Sequence, residues 1–267
     1  MRTGLFRSDL SLRAQCAALG LLLVAISACG PRSNFQVPAA GEAGAEKFLF
    51  DRGQEALERR RWLDAREYFR RLIDTYPGSE FRRSAKIGLG DSYLGEGHPG
   101  SLILAANEFR EFLTFFPLAP NADYAQFRLA VCHMRQMLGP QRDQTATVTA
   151  LRELDAFIQN YPKSKHMAEV VAMRRQARDR LSEHEYQVGL SNFRIRVYTG
   201  AIARFEGLLA ADPEFTRRDG VYYHMAESLA RLGRTAEAVQ WYERLQKEFS
   251  ESSYLDEART RGAALKR

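Results

Sequence analysis

An apolar face of fixed spacing recurs along this chain, and in four of its five copies a proline closes it. Ala201, Phe205, Leu208 and Leu209 stand at offsets 0, 4, 7 and 8, and Pro213 follows twelve residues after the alanine. The same spacing returns at Ala65, Phe69, Leu72, Ile73 and Pro77, at Ala105, Phe109, Phe112, Leu113 and Pro117, and at Ala150, Leu154, Phe157, Ile158 and Pro162. Ala238, Tyr242 and Leu245 keep the face, with Gln246 and Ser250 in the last two places. Offsets of four and seven put these side chains on one stripe of a helix, and proline forbids its continuation. A helix with one apolar stripe cannot bury it alone, so every copy requires a partner helix.

Small residues mark that partner. Gly189 stands twelve residues before Ala201, Gly53 twelve before Ala65, and Ala226 twelve before Ala238. Small residues let two antiparallel axes approach, and the aromatic residue of the second helix fills the space above them. The alternation resembles the tetratricopeptide repeat, whose period is about 34 residues. The resemblance implies an all-α fold, a superhelical array of about five helix pairs. Repeats are expected near 46–78, 79–118, 119–163, 164–215 and 216–252, with a closing helix at 253–267. From Ser164 to about Val197 the only glycine or proline is Gly189. That run is too long for one repeat helix, and it reads as a long central helix shared by the third and fourth repeats. Ser79 is a candidate cap for the second repeat, Gly95 to Gly100 a long turn, and Gly139 to Thr147 a polar loop that projects from one edge as a contact surface. Ser253 and Asp256 have the spacing of a capping box.

The amino terminus follows other rules. Arg2, Arg7 and Arg13 flank a largely apolar run from Ala14 to Ala28, the pattern of a secretory signal. Its end, Ile26-Ser27-Ala28-Cys29, resembles the lipobox of bacterial lipoproteins. That resemblance implies cleavage between Ala28 and Cys29 and a lipid on the Cys29 thiol, so residues 1–28 are the signal peptide. Several acyl chains make a stable anchor at about 0.8 kcal/mol per buried methylene. Gly30, where an aspartate would resemble an inner-membrane retention signal, favours the outer membrane. Residues 29–45 carry two prolines and three glycines and read as a tether, roughly 50 Å long when stretched and about 20 Å as a coil. Cys16 leaves with the signal and Cys29 carries lipid, so Cys132 is left without a disulfide partner and reads as a buried, inert thiol.

Several chemistries find no support. His98, His133, His166, His184 and His224 include no pair at metal-ligand spacing on one helix face. No glycine-rich phosphate loop follows a strand, and no serine sits in a nucleophile elbow. No catalytic residue, metal or cofactor is expected, apart from the covalent lipid on Cys29. Without its signal the chain has 36 basic and 32 acidic residues, a modest +4. Clusters such as Arg59–Arg61 and Arg82–Arg83 read first as solvated helix faces, and nucleic acid is not an expected partner of an exported lipoprotein.

Repeat arrays of this kind bind extended peptides on the concave wall formed by their first helices. The repeat pattern places Lys47, Phe50, Gln54, Leu57 and Glu58 inward in the first repeat, and Ile87, Asp91 and Leu94 in the second. Whether Phe50 and Leu57 line a groove or pack against the next helix stays open at this level. The signal and lipobox, the five repeats, the Arg142-Asp143-Gln144 loop, and His184-Glu185-Tyr186 with Val188, Phe193, Arg196, Tyr198, Ala201, Arg204 and Glu206 together resemble the BamD family. These are lipoprotein subunits of the outer-membrane β-barrel assembly machinery. The resemblance implies a non-catalytic scaffold anchored in the outer membrane and facing the periplasm. Its amino-terminal repeats would receive unfolded outer-membrane proteins. Its carboxy-terminal repeats would dock on a BamA-like insertase through Arg194, Arg196, Arg204 and Glu206, beside other lipoproteins of the complex. Departures lie at Leu190, Ser191 and Asn192, where the family favours aromatic residues, and at Ser250, in place of the last proline. Two other scaffold readings, a pilotin that escorts a secretin and a coordinator of wall synthesis, fit the same fold. They sit less well with alanine anchors spaced 40, 45, 51 and 37 residues apart. A lipid-anchored enzyme is the reading from a different class.

Overall fold

The computed structural model describes Ala39 and residues 41–267. The expected signal, the tether up to Pro38, and both Ala28 and Cys29 lie outside the described residues. Among those described, the chain forms eleven helices and no strand. They are α1 (Ala45–Glu58), α2 (Trp62–Thr75), α3 (Arg82–Glu96), α4 (Pro99–Phe115), α5 (Ala122–Gln136), α6 (Thr145–Asn160), α7 (Met167–Arg194), α8 (Tyr198–Ala211), α9 (Arg218–Arg231), α10 (Thr235–Glu248) and α11 (Leu255–Leu265). Consecutive helices pack side by side, and short connections make such neighbours antiparallel.

The repeated stripe is the core. Ala65, Phe69 and Leu72 on α2, Ala105, Phe109 and Phe112 on α4, Ala150, Leu154 and Phe157 on α6, and Ala201, Phe205 and Leu208 on α8 are all buried. Each aromatic ring fills the space left by small residues on the odd helices. A methyl group on Gly53 or on Gly88 would stand 2.5 Å from the Phe69 ring, and one on Gly90 2.8 Å from the Phe109 ring. Gly189 and Phe205 repeat the arrangement between α7 and α8.

One backbone turn joins every pair to the next. The N–H groups of Tyr76, Phe116, Tyr161, Asp212 and Phe249 donate to the carbonyls of Leu72, Phe112, Phe157, Leu208 and Leu245 at 2.8–3.0 Å, closing each even helix. Three residues on, Ser79, Ala119, Ser164, Phe215 and Ser252 donate back to those same five residues at 3.0–3.2 Å. In three copies the serine hydroxyl then accepts the N–H two residues ahead, from Phe81, His166 and Tyr254 at 3.2 Å. Ser79 therefore shapes the turn before α3 and does not cap the helix itself. The capping box expected of Ser253 and Asp256 is absent for the same reason. Ser252 holds the turn, the residue before α11 is Tyr254, and no side chain caps that helix.

Turns within pairs differ more. At α1–α2, α7–α8 and α9–α10 the chain passes through a left-handed residue, Arg60 (φ 57°), Arg196 (φ 65°) and Gly233 (φ 75°). The next N–H reaches back five residues in each case, from Arg61 to Ala56, Val197 to Asn192 and Arg234 to Leu229, at 2.8–3.0 Å. This is the helix-ending motif that favours glycine. The turn expected over Gly95 to Gly100 is only Gly97 and His98, because α3 continues to Glu96 and Pro99 begins α4, a position that suits its fixed φ. The polar loop ends one turn earlier than expected, since α6 starts at Thr145, and it does not project freely. His184 Nδ1 lies 2.6 Å from the Pro140 carbonyl, Arg180 donates to Leu138 O at 3.0 Å, and Gln144 Nε2 donates to Gly139 O and Arg142 O at 2.8 and 2.9 Å. The loop is fastened to α7.

Helix α7 is the expected long helix, 28 residues in one piece. Its first half packs against α6 through Val170 and Ala177, and its second half against α8 through Tyr186 and Leu190. The two halves of the array are thereby staggered. The loop within the third pair reaches α7 at His184, and the turn after the fourth pair reaches it at Asp179, whose Oδ1 accepts the Thr216 N–H at 3.1 Å.

Candidate functional site

The residues expected to line a peptide groove differ in exposure. On α1, Lys47 and Glu58 are exposed, and Phe50, Gln54 and Leu57 are half-buried. Lys47 pairs with Asp51 at 2.6 Å, and Arg52 lies over the Phe48 ring. Phe50 stacks on Phe81 with ring centroids 5.2 Å apart and meets Phe69 at 6.3 Å. It therefore packs toward the start of α3 while keeping one edge in solvent. Ile87 and Leu94 do not belong to a groove. They are 8% and 1% exposed, because the α3 face that carries them is covered by neighbouring helices.

Asp91 is committed to the fold as well. Its carboxylate accepts the Tyr124 hydroxyl at 2.9 Å and Arg128 Nε at 2.7 Å, both from α5. Burial pushes its pKa up, against the opposing Arg128 charge. Burial and the Asp91 charge push the Tyr124 hydroxyl up too. Arg135 donates to Leu94 O at 2.7 Å, so α3 and α5 are tied at two levels. The periodicity of α1 and α3 does not name Tyr124, Arg128 or Phe81. Phe81 could have been found from the turn, since aromatic residues stand at the same place in Pro77-Gly78-Ser79-Glu80-Phe81 and Ser250-Glu251-Ser252-Ser253-Tyr254.

The four docking residues do not form one face. Arg194 and Arg196 are exposed at the corner between α7 and α8, with Ile195 66% and Val197 45% exposed beside them. Arg204 lies further along α8 and donates to Glu185 of α7 at 3.2 Å. Glu206, two residues on, turns the other way, because two helical positions are about 200° apart. Its charge acts on Arg234, which itself forks onto Glu237 at 2.7 and 2.6 Å.

Behind that surface is a site the sequence left unassigned. The His224 ring is ringed by Tyr223, Phe193, Tyr254, Tyr186 and Phe205 at centroid distances of 5.1–6.5 Å. Its Nδ1 lies 2.7 Å from Gly220 O, which can only accept, so this nitrogen carries a proton; the Tyr186 hydroxyl is 3.1 Å away. Burial lowers the His224 pKa and keeps the ring neutral at pH 7. Nearby, Asp212 is buried at the α8–α9 turn and accepts Arg175 Nη1 at 3.0 Å, Arg175 Nη2 at 2.5 Å and the Ser182 hydroxyl at 2.5 Å. Burial alone would raise its pKa, and these hydrogen bonds outweigh it and hold the carboxyl below its usual range.

Cys132 is buried and its thiol is pushed up to about 12, which keeps it protonated at neutral pH. Among the described residues no three His, Cys, Asp or Glu side chains could hold a metal ion, and no helix is long and apolar enough to cross a membrane.

Residues 42–245 match the YfiO family, described as outer membrane lipoprotein. The outer membrane protein assembly factor BamD of Caulobacter vibrioides is 25% identical over 222 residues, covering 82% of this chain and 72% of that one. The BamD of Haemophilus influenzae is 21% identical over 230 residues, covering 82% and 85%. Among solved structures, the TPR2AB-domain–pHSP90 complex of yeast Sti1 overlaps 82% of each chain at 11% identity, with a TM-score of 0.45.

Proposed function

This chain belongs to the YfiO family of outer membrane lipoproteins, and from that premise we propose that it is a lipid-anchored periplasmic scaffold in outer-membrane protein assembly. In this reading Cys29 carries the lipid, α1 and the solvent edge of Phe50 receive segments of unfolded barrel proteins, and the α7–α8 region docks on a BamA-like insertase. One observation supports the division of labour. Helix α7 packs against α6 with its first half and against α8 with its second, so one long helix joins the set of pairs that bears α1 to the set that bears the α7–α8 corner.

Arg204 is the residue to test. It is exposed, and its pair with Glu185 is also exposed, so the pair contributes little to stability. Its planar fork suits an acidic partner loop. We expect the full-length lipoprotein, captured from detergent-solubilised envelopes, to bring down a large β-barrel protein with periplasmic domains, and Arg204→Glu to lose it. The double swap Arg204→Glu with Glu185→Arg restores the internal pair. If the swap recovers the partner, the arginine acts through the fold and does not touch the insertase. Capture of a secretin instead would overturn the assembly reading and leave the fold untouched.

A further inference from the structure

The five turns between helix pairs share a backbone and differ in what they show to solvent. The residue after the proline position is Gly78, Leu118, Lys163, Glu214 and Glu251 in chain order, and the last residue before the closing contact is Thr75, Phe115, Asn160, Ala211 and Glu248. Four turns are small, polar or charged at both places. The α4–α5 turn is apolar at both, with Leu118 96% and Phe115 65% exposed. Pro117 and Pro120 are exposed beside them, and no charged residue stands between Thr114 and Asn121. Folding does not require this, since the other four turns close with the same hydrogen bonds.

The surroundings indicate an occupant. Ser164 donates to Asp123 Oδ2 at 2.6 Å, which sets the α6–α7 turn next to this one. That neighbour presents Lys163 and Lys165, both exposed and without an ion pair among the described residues. On the other side Asp74 and Glu80 offset Arg82 and Arg83, so the positive flank is the one toward α7. Every odd helix of this half starts at the same edge, including α1 at Ala45, from which the chain leads back toward Cys29. A convex tip of two large side chains is too small for a stable protein interface, which buries about 1,200 Å² or more. It has the form of an auxiliary membrane contact, where acyl chains do the anchoring and an apolar tip beside lysines adds to it.

We propose that the α4–α5 turn dips into an anionic phospholipid surface, with Phe115 and Leu118 at the acyl boundary and Lys163 and Lys165 among the headgroups. This rests on the lipid-anchored reading for its nearness to a membrane, and the test separates the two. Full-length lipoprotein with Leu118→Cys is labelled with a polarity-sensitive fluorophore and mixed with vesicles of phosphatidylethanolamine and phosphatidylglycerol. Cys132, buried and protonated, stays unlabelled. Glu214→Cys, at the same place in the α8–α9 turn, is the control. The expected result is a blue shift and quenching by chain-labelled lipid at position 118 and neither at 214. Flotation reports the anchor and the fluorophore reports the turn. Protein that floats with a wet label at 118 overturns the insertion alone, and protein that neither floats nor shifts overturns both. A label already dry before vesicles are added means the tip is covered by protein, and also overturns the proposal. In the form that lacks lipid, Cys29→Ser, the further change Leu118→Asp should lower vesicle binding about tenfold or more, the worth of a buried leucine.

Discussion

The two halves of the array hold their helices together by different means. In the first three pairs, polar ties join α3 and α5 along their length, from Asp91 to Tyr124 and Arg128 and from the Leu94 carbonyl to Arg135, and one tie, from Ser164 to Asp123, lies at a turn. In the last pairs more of the ties lie at turns, where Asp212 receives Arg175 and Ser182, the Thr216 N–H meets Asp179, Arg217 meets Glu183 at 2.7 Å and Ser252 meets Asp219 at 2.7 Å, beside the one contact of Tyr186 with His224 between α7 and α9. The first arrangement stiffens a wall along its length. The second attaches a block to α7 near one level, with aromatic rings around His224 filling the space behind it. The same repeat can thus be built for two mechanical tasks.

The aromatic stripe is common to both halves, so its loss should cost the same in each. Phe69→Ala and Phe205→Ala each remove a fully buried ring, and urea unfolding should show a loss of about 4 kcal/mol for both. A markedly smaller loss for Phe205 would mean that the Tyr186 and His224 cluster collapses into the space.

The carboxylates should separate the halves. Arg175→Ala leaves Asp212 buried without its charge partner, at a cost of about 2 kcal/mol, discounted because the arginine is itself 30% exposed. The pH dependence should have opposite signs. The Asp212 pKa is depressed in the fold, so its contribution is present above the unfolded value of about 3.9 and is lost as pH falls through the folded one. The Asp91 pKa is raised, so its charged form opposes folding and protonation relieves it. Asp212→Asn should therefore destabilise at pH 7 and converge with the parent in acid, and Asp91→Asn should differ from the parent in the opposite direction at pH 7 and likewise converge with it in acid. Unfolding midpoints between pH 3 and 7 decide this, and equal slopes for the two variants would remove the distinction.

Smaller effects test the shared joints. Gly189→Ala drives a methyl group into the Phe205 ring and should cost about 1–2 kcal/mol, the crowding exceeding the gain in helix propensity. Arg60→Gly and Arg196→Gly relieve left-handed arginines and should each stabilise by about 0.5–1 kcal/mol in thermal unfolding. A loss at either would show that the arginine side chain contributes more than its backbone costs.

Much of this was legible because the repeat couples spacing to burial. Once Ala201, Phe205 and Leu208 repeat elsewhere with a proline at a fixed distance, the even helices and their cores follow. The long helix was legible from the missing punctuation between Ser164 and Val197. The inward face of the odd helices was not, because these helices pack on two sides and a single stripe does not say which apolar residue is covered; Ile87 and Leu94 were misplaced for that reason. Asp91 has its partners 33 and 37 residues away, beyond any local pattern. The split between Arg204 and Glu206 was readable from helical geometry, since residues two apart cannot share a face.

Because both halves are registered on α7, the joint between them can change only in discrete steps. Adding one residue to the middle of that helix would swing the carboxy-terminal block by about 100° and advance it by about 1.5 Å. Adding four would return it nearly to the same bearing, about 6 Å further along. The helix works as a vernier, and relatives that differ in the length of this segment should differ by whole turns, keeping the two halves aligned while resetting the distance between them.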